Sequence, residues 1–115
     1  MKLKFIETNA NLKSICMIGK TGQIRFKKNH VEKFNLIANS KFLIGYDEEE
    51  NPVKKIYLLP SNNTDGFKMY YQNSSYFISA KTVVSELKLK IPLKCEINSV
   101  ETSKEFPSGT ICLSF

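Results

Sequence analysis

Lys20, Arg25, Lys27, Lys28 and Lys33 stand close together in one stretch of chain, and this is its strongest chemical signal. They belong to a wider asymmetry. Residues 1–41 hold nine basic residues and two acids, a net of +7, so the remainder of this +6 chain sums to −1. One-sided charge creates a long-range field that draws anionic partners. The set is lysine apart from Arg25. Lysine is a compact point charge suited to phosphate, whereas arginine is the commoner bidentate reader of guanine. If nucleic acid is bound, the composition therefore favours contact with its backbone over base reading. The plainer alternative is a solvated lysine face that confers only solubility.

A second candidate group is aromatic. Tyr70, Tyr71, Tyr76 and Phe77 flank one turn. Exposed on a sheet, such rings would stack single-stranded bases; turned inward, they would form cross-strand pairs and core.

Three other signals are weaker. Gly19-Lys20-Thr21 ends like a phosphate-binding loop. The preceding Ile15-Cys16-Met17-Ile18 reads as a strand, however, and Gly22 with a second alternating strand follows where a helix is required. This is the pattern of a hairpin turn. His30, the single histidine, has no nucleophile or acid that spacing assigns to it, so a catalytic triad lacks support. It reads as a packing residue. Asp47-Glu48-Glu49-Glu50 lacks the alternating ligands and bend glycine of a calcium loop and reads as a solvated turn. The three cysteines, Cys16, Cys95 and Cys112, are widely spaced among apolar neighbours, which suits buried thiols in a reducing compartment. The expectation is a cytoplasmic, non-enzymatic protein with no catalytic residues, no metal site and no cofactor. No apolar run approaches the ~20 residues that span a membrane, and Glu7 interrupts any leader-like start.

Alternating hydrophobicity supplies the elements that must carry these residues. Strands are expected at Leu3-Lys4-Phe5, 14–18, 23–26, 41–46, 55–59, 67–71, 76–79, 93–100 and 110–115. Asn29 is positioned to cap a short helix whose inner face is Val31, Phe34 and Leu36. A second helix is expected over 81–89, with Val83, Val84 and Leu87 inward. The 47–52 turn, a connector over 60–66 and a polar loop over 101–109 separate the strands.

The pattern is written twice. A shift of 53 positions carries Lys20-Thr21-Gly22 onto Asn73-Ser74-Ser75, Ile24 onto Phe77, Val31 onto Val84, Phe34 onto Leu87, Leu36 onto Leu89 and Ile44 onto Ile97. After a one-residue slip, Tyr57 and Leu59 meet Ile111 and Leu113. Repeats over about 14–60 and 67–115 follow, each strand–strand–helix–strand–strand. The expected fold is mainly β (α+β): a pseudo-twofold tandem of two ββαββ units forming one compact, barrel-like domain over residues 1–115.

Gly22 to Leu59 resembles the AbrB, SpoVT and MraZ swapped-hairpin β-barrel regulators. The resemblance rests on Gly22-Gln23-Ile24-Arg25-Phe26, on Lys27-Lys28 opening a helix, on the exit Phe34-Asn35-Leu36, and on Phe42, Ile44 and Tyr46 leading to an acidic turn at Asp47. It implies two interlocked units in one barrel and binding to duplex DNA. Lys27 replaces the family's proline, and Val31 and Glu32 stand where its helix carries arginines, which leaves Arg25, Lys27 and Lys28 as the implied phosphate contacts. Phe42 to Leu89 is also similar to the single-strand-binding sheets of the PUR and Whirly type.

The leading expectation is a DNA-binding, regulator-like protein that favours duplex, through Lys20, Arg25, Lys27, Lys28 and Lys33. A protein-interaction or structural module, which could self-associate, is the first alternative. A single-strand binder using Tyr70, Tyr71, Tyr76 and Phe77 is the second.

Overall fold

Gln23-Ile24-Arg25-Phe26 alternates polar and apolar side chains, and in the computed structural model it forms a strand with Ile24 and Phe26 buried and Arg25 exposed. The structure describes residues 1–4, 14–62 and 64–115. In chain order the elements are β1 (Ile15–Ile18), β2 (Gln23–Phe26), α1 (Lys28–Lys33), β3 (Lys41–Gly45), β4 (Lys55–Ser61), β5 (Phe67–Gln72), β6 (Ser75–Ser79), α2 (Lys81–Leu87), β7 (Leu93–Ser99) and β8 (Ile111–Ser114). The expected opening strand does not form at Leu3 and Lys4, and Phe5 lies outside the described residues.

The eight strands close into an antiparallel barrel in the order β1-β2-β6-β5-β3-β4-β8-β7, with β7 returning to β1. Replacing each strand by the one four later reproduces the same circle. The two ββαββ segments are thus interlocked. The β1–β2 hairpin joins the β3–β4 hairpin only through strands of the other segment. Inward residues from every strand fill the interior, among them Ile18, Ile24, Ile56, Leu58, Met69, Ile78, Cys95, Ile97, Ile111 and Leu113. Among the described residues, closure leaves no free sheet edge.

Local chemistry explains the connections. The β5–β6 turn is Asn73-Ser74, both with positive φ (51° and 61°), as a two-residue turn matched to strand twist requires. The β1–β2 turn is longer and ends on Gly22, whose φ is +79°. Both helices exit through a left-handed residue, Asn35 and Lys88. The next leucine N–H then donates back, from Leu36 to the Val31 carbonyl and from Leu89 to the Val84 carbonyl, both at 3.0 Å.

Three expectations are corrected here. Asn29 is not the cap of α1; it lies inside the helix, and Lys27 precedes the first turn. The Lys27 N–H donates to His30 Nδ1 at 3.1 Å, so the histidine reaches back as an acidic or amide residue does in a capping box. The connector is shorter than expected because β4 continues through Pro60 to Ser61. β8 pairs with β4 only as far as Leu58–Ile111, so no ladder bond is asked of the proline nitrogen beyond it. The register after the slip also differs. Ile56 and Leu58, not Tyr57 and Leu59, share the interior with Leu113 and Ile111, which they face directly.

His30 is 3% exposed, and burial, then the charges of Lys27 and Lys33, hold its pKa below the ordinary imidazole value of 6.5. The folded state therefore prefers the neutral ring, which can accept the Lys27 N–H. Above the unfolded pKa both states are neutral and the group is silent. Below about pH 6.5 the unfolded chain takes up the proton first, so stability falls as pH drops toward the lower folded value. Urea midpoints measured from pH 7.5 to 5.5 should decline. In His30→Gln, which keeps an acceptor but cannot titrate, that share of the decline should vanish.

Candidate nucleic-acid interface

The circular strand order places β2, β6, β5 and β3 side by side. Because successive side chains alternate faces, Arg25 on β2, Phe77 on β6, and Lys68 and Tyr70 on β5 all point outward. Arg25 and Phe77 are directly paired, as are Tyr70 and Phe77. The contacts run as a ladder. The Arg25 guanidinium lies 5.6 Å from the Phe77 ring centre, Phe77 stacks on Tyr70 at 5.5 Å, and Lys68 Nζ lies 5.4 Å from the Tyr70 ring. Arg25 also donates to Ser75 Oγ at 3.2 Å and to Gln23 Oε1. Lys41, the β3 partner of Lys68, extends the cationic edge.

The other expected contacts frame this face. Lys20 is exposed in the β1–β2 turn, where Gly22 N–H donates to the Gly19 carbonyl at 2.9 Å. That settles Gly19-Lys20-Thr21 as a hairpin turn. Lys27 and Lys28 are exposed at the opposite end of β2, about 13 Å away at 3.3 Å per residue. Lys33 is less available. At the far end of α1, its Nζ donates to Ser14 Oγ at 3.2 Å and lies 5.3 Å from the Phe34 ring.

The aromatic quartet does not form one platform. Tyr70 and Phe77 share the outer face. Tyr71 and Tyr76 pair with ring centres 4.5 Å apart on the opposite face, where Tyr76 adjoins buried Phe26. Adjacent residues of a strand must diverge in this way. Tyr71 stays 52% exposed, one residue before the end of β5 at the β5–β6 turn.

No protein-family model, curated protein or solved structure matches the chain. The functional reading therefore starts from its own residues.

Their charge is segregated. Residues 20–45 and 61–82, which build β2, α1, β3, β5, β6 and the start of α2, contain Lys20, Arg25, Lys27, Lys28, Lys33, Lys41, Lys68 and Lys81 against Glu32 and Asp65. That is eight against two, a net of +6, and the rest of the chain balances nine against nine. Three of the eight, Lys41, Lys68 and Lys81, were outside the cluster read from sequence. Only the pairing of β5 with β3 and β6 brings the first two in. The carbonyl of Gly22, which accepts the Ala80 N–H at 2.9 Å, sets Lys81 beside the Lys20 turn.

Other chemistry is sparse. Among the described residues no group of three or more His, Cys, Asp or Glu is placed to hold a metal ion, and no helix is long and apolar enough to cross a membrane. The acidic run forms a turn in which Glu49 N–H donates to Asp47 Oδ1 at 2.9 Å. Cys16 and Cys95 face each other inside the barrel across the β1–β7 pairing. Their mutual hydrogen bond and then burial push the Cys16 thiol well above its ordinary pKa, which makes it inert as a nucleophile. Burial likewise raises Cys112.

Proposed function

We propose that this protein is a non-enzymatic nucleic-acid-binding protein that contacts phosphates through the outer face of β2, β6, β5 and β3. One observation carries the reading: the segments that supply those four strands, with α1 and the start of α2, carry a net charge of +6, and the rest of the chain sums to zero. Lys20 and Lys81 at one end, Arg25 centrally, and Lys27 and Lys28 at the other end make a cationic surface of several phosphate spacings. Lys33, tied to Ser14, is the least available of the five residues expected from sequence. Duplex DNA is the favoured ligand, as the resemblance to swapped-hairpin regulators implies.

The test is fluorescence anisotropy with labelled duplex and single-stranded DNA across a salt series. Each neutralised phosphate contributes roughly −0.9 to the slope of log affinity against log salt on duplex. The variant Arg25→Glu/Lys27→Glu/Lys28→Glu should flatten that slope by about 2.7 and weaken binding by at least a hundredfold at low salt. Unchanged slope and affinity would remove the proposal.

A single-strand reading has its own supporting observation: Tyr70 is 39% exposed on the same face as the cations. It requires Tyr70→Ala to weaken single-strand binding by about 1–3 kcal/mol while sparing duplex. A stable, salt-insensitive oligomer with no DNA affinity would instead favour an interaction module.

A further inference from the structure

Gly45 ends β3 without a backbone reason to be glycine. Gly22 and Gly109 have positive φ, whereas Gly45 does not, and nothing lies within 4 Å of where its Cβ would stand. A strand glycine gives up packing and order, and it often marks a place where a ligand or another chain approaches closely. Gly45 pairs with Tyr57 of β4. An aromatic opposite a strand glycine commonly folds over it, but the Tyr57 ring stacks on Phe106 instead, at 4.8 Å between centres and 28° between planes. The space above Gly45 is left as a hollow of about 480 Å³, lined by Tyr46, Tyr57, Leu59 and Phe106 together with Asp47 and Glu105.

We propose that this hollow receives an arginine side chain from a basic segment of a partner protein. Aromatic walls attract a cation through their ring faces, and planar guanidinium stacks on them better than ammonium does. The two carboxylates supply the opposite charge and charge-assisted acceptors, Asp47 through Oδ2 because its Oδ1 already accepts the Glu49 N–H. The closed barrel has no edge to which a partner could add a strand, so recognition falls to side chains. The chain's own arginine, Arg25, is engaged by Ser75, Gln23 and Phe77 on the far side of the barrel, which argues against a second copy as the occupant. This proposal does not rest on the nucleic-acid reading, because it uses none of the same residues.

The experiment measures anisotropy of a labelled nonapeptide carrying three arginines in a glycine–serine background, beside the same peptide with neutral citrulline. The protein is compared with Gly45→Val, which puts a branched side chain on the floor of the hollow and suits a strand. Arginine peptide should bind, citrulline peptide should bind at least tenfold more weakly, and Gly45→Val should lose about tenfold while its thermal midpoint holds or rises. Equal binding by Gly45→Val would overturn the proposal by reducing the effect to diffuse acidity. No binding of the arginine peptide at low salt would overturn it outright. Salt-sensitive self-association of the unaltered protein that Gly45→Val abolishes would assign the hollow to a second copy, which also overturns it. The Arg25→Glu/Lys27→Glu/Lys28→Glu variant should bind the peptide at least as tightly as the unaltered protein, since it removes repulsive charge, which separates this site from the DNA reading.

Discussion

Gly22→Ala is expected to cost the barrel about 3 kcal/mol or more, a large share of the roughly 5–15 kcal/mol that holds a domain of this size folded. Two independent penalties converge on the position. With φ at +79°, any side chain there occupies the left-handed region that suits glycine. A Cβ would also stand 2.9 Å from the Lys81 Cα and 3.3 Å from both the Lys81 nitrogen and Cβ, and backbone cannot swing aside as a flexible side chain can. Relieving that clash means lifting α2 from the turn, which breaks the 2.9 Å hydrogen bond from Ala80 N–H to the Gly22 carbonyl. Loss would spread into the β2–β6 pairing, whose first partners, Gln23 and Ser79, adjoin those residues. Urea unfolding followed by far-UV circular dichroism measures the effect. Gly45→Ala is the matched control: its Cβ meets nothing and φ is not positive, so its midpoint should equal or exceed that of the unaltered protein. Equal stability of the two variants would show that Gly22 does not set the α2 position.

Ile78→Ala should cost nearly as much for a different reason. Ile78 is fully buried and pairs with Ile24 of β2 on one side and Met69 of β5 on the other, both also fully buried. Removing three methyl or methylene groups from such a site loses transfer free energy and leaves a cavity, and related truncations cost about 2–5 kcal/mol. The upper part of that range applies because β2 and β6 come from different ββαββ segments, so the void opens where the two interlock. Ile24→Ala should show a similar loss. The double variant should fall short of the sum, since the two side chains share one space. Exposed Leu43, on the outer face of β3, sets the baseline: Leu43→Ala should shift stability by less than about 1 kcal/mol. Full additivity of the Ile24 and Ile78 losses would mean that the two side chains pack separately.

Much of this framework was legible before the structure. Gln23 to Phe26 alternates cleanly and forms a strand with those same bounds, because half-buried strands advertise their two faces. The two short helices were legible in Phe34, Leu36 and Val84, which meet the core. What failed had physical causes. Pro60 looked like a strand terminator, yet its missing N–H falls where β4 has run past its β8 neighbour. Asn29 looked like a cap, yet buried His30 provides the acceptor from the other direction. For the candidate interface, sequence proximity found Lys27 and Lys28 but not Lys41 and Lys68, which meet only across the β3–β5 pairing. The split of Tyr70 from Tyr71 could have been read from alternation alone. Gly45 could not, because a strand glycine reveals its purpose only once the empty space around it is known.

The interlocked strand order has a consequence for how the chain comes into being. The first hairpin, β1 with β2, finds its lasting neighbours in β6 and β7, and the second, β3 with β4, finds them in β5 and β8. A chain emerging from the ribosome up to Ser61 thus holds both hairpins and no sheet that can unite them. Assembly must wait for the C-terminal half, and it is settled by contacts between residues far apart along the chain, the kind that makes β-rich domains slow to fold. Neither half is a foundation on which the other is later laid. Each is the scaffold of the other, and the barrel is built in a single act.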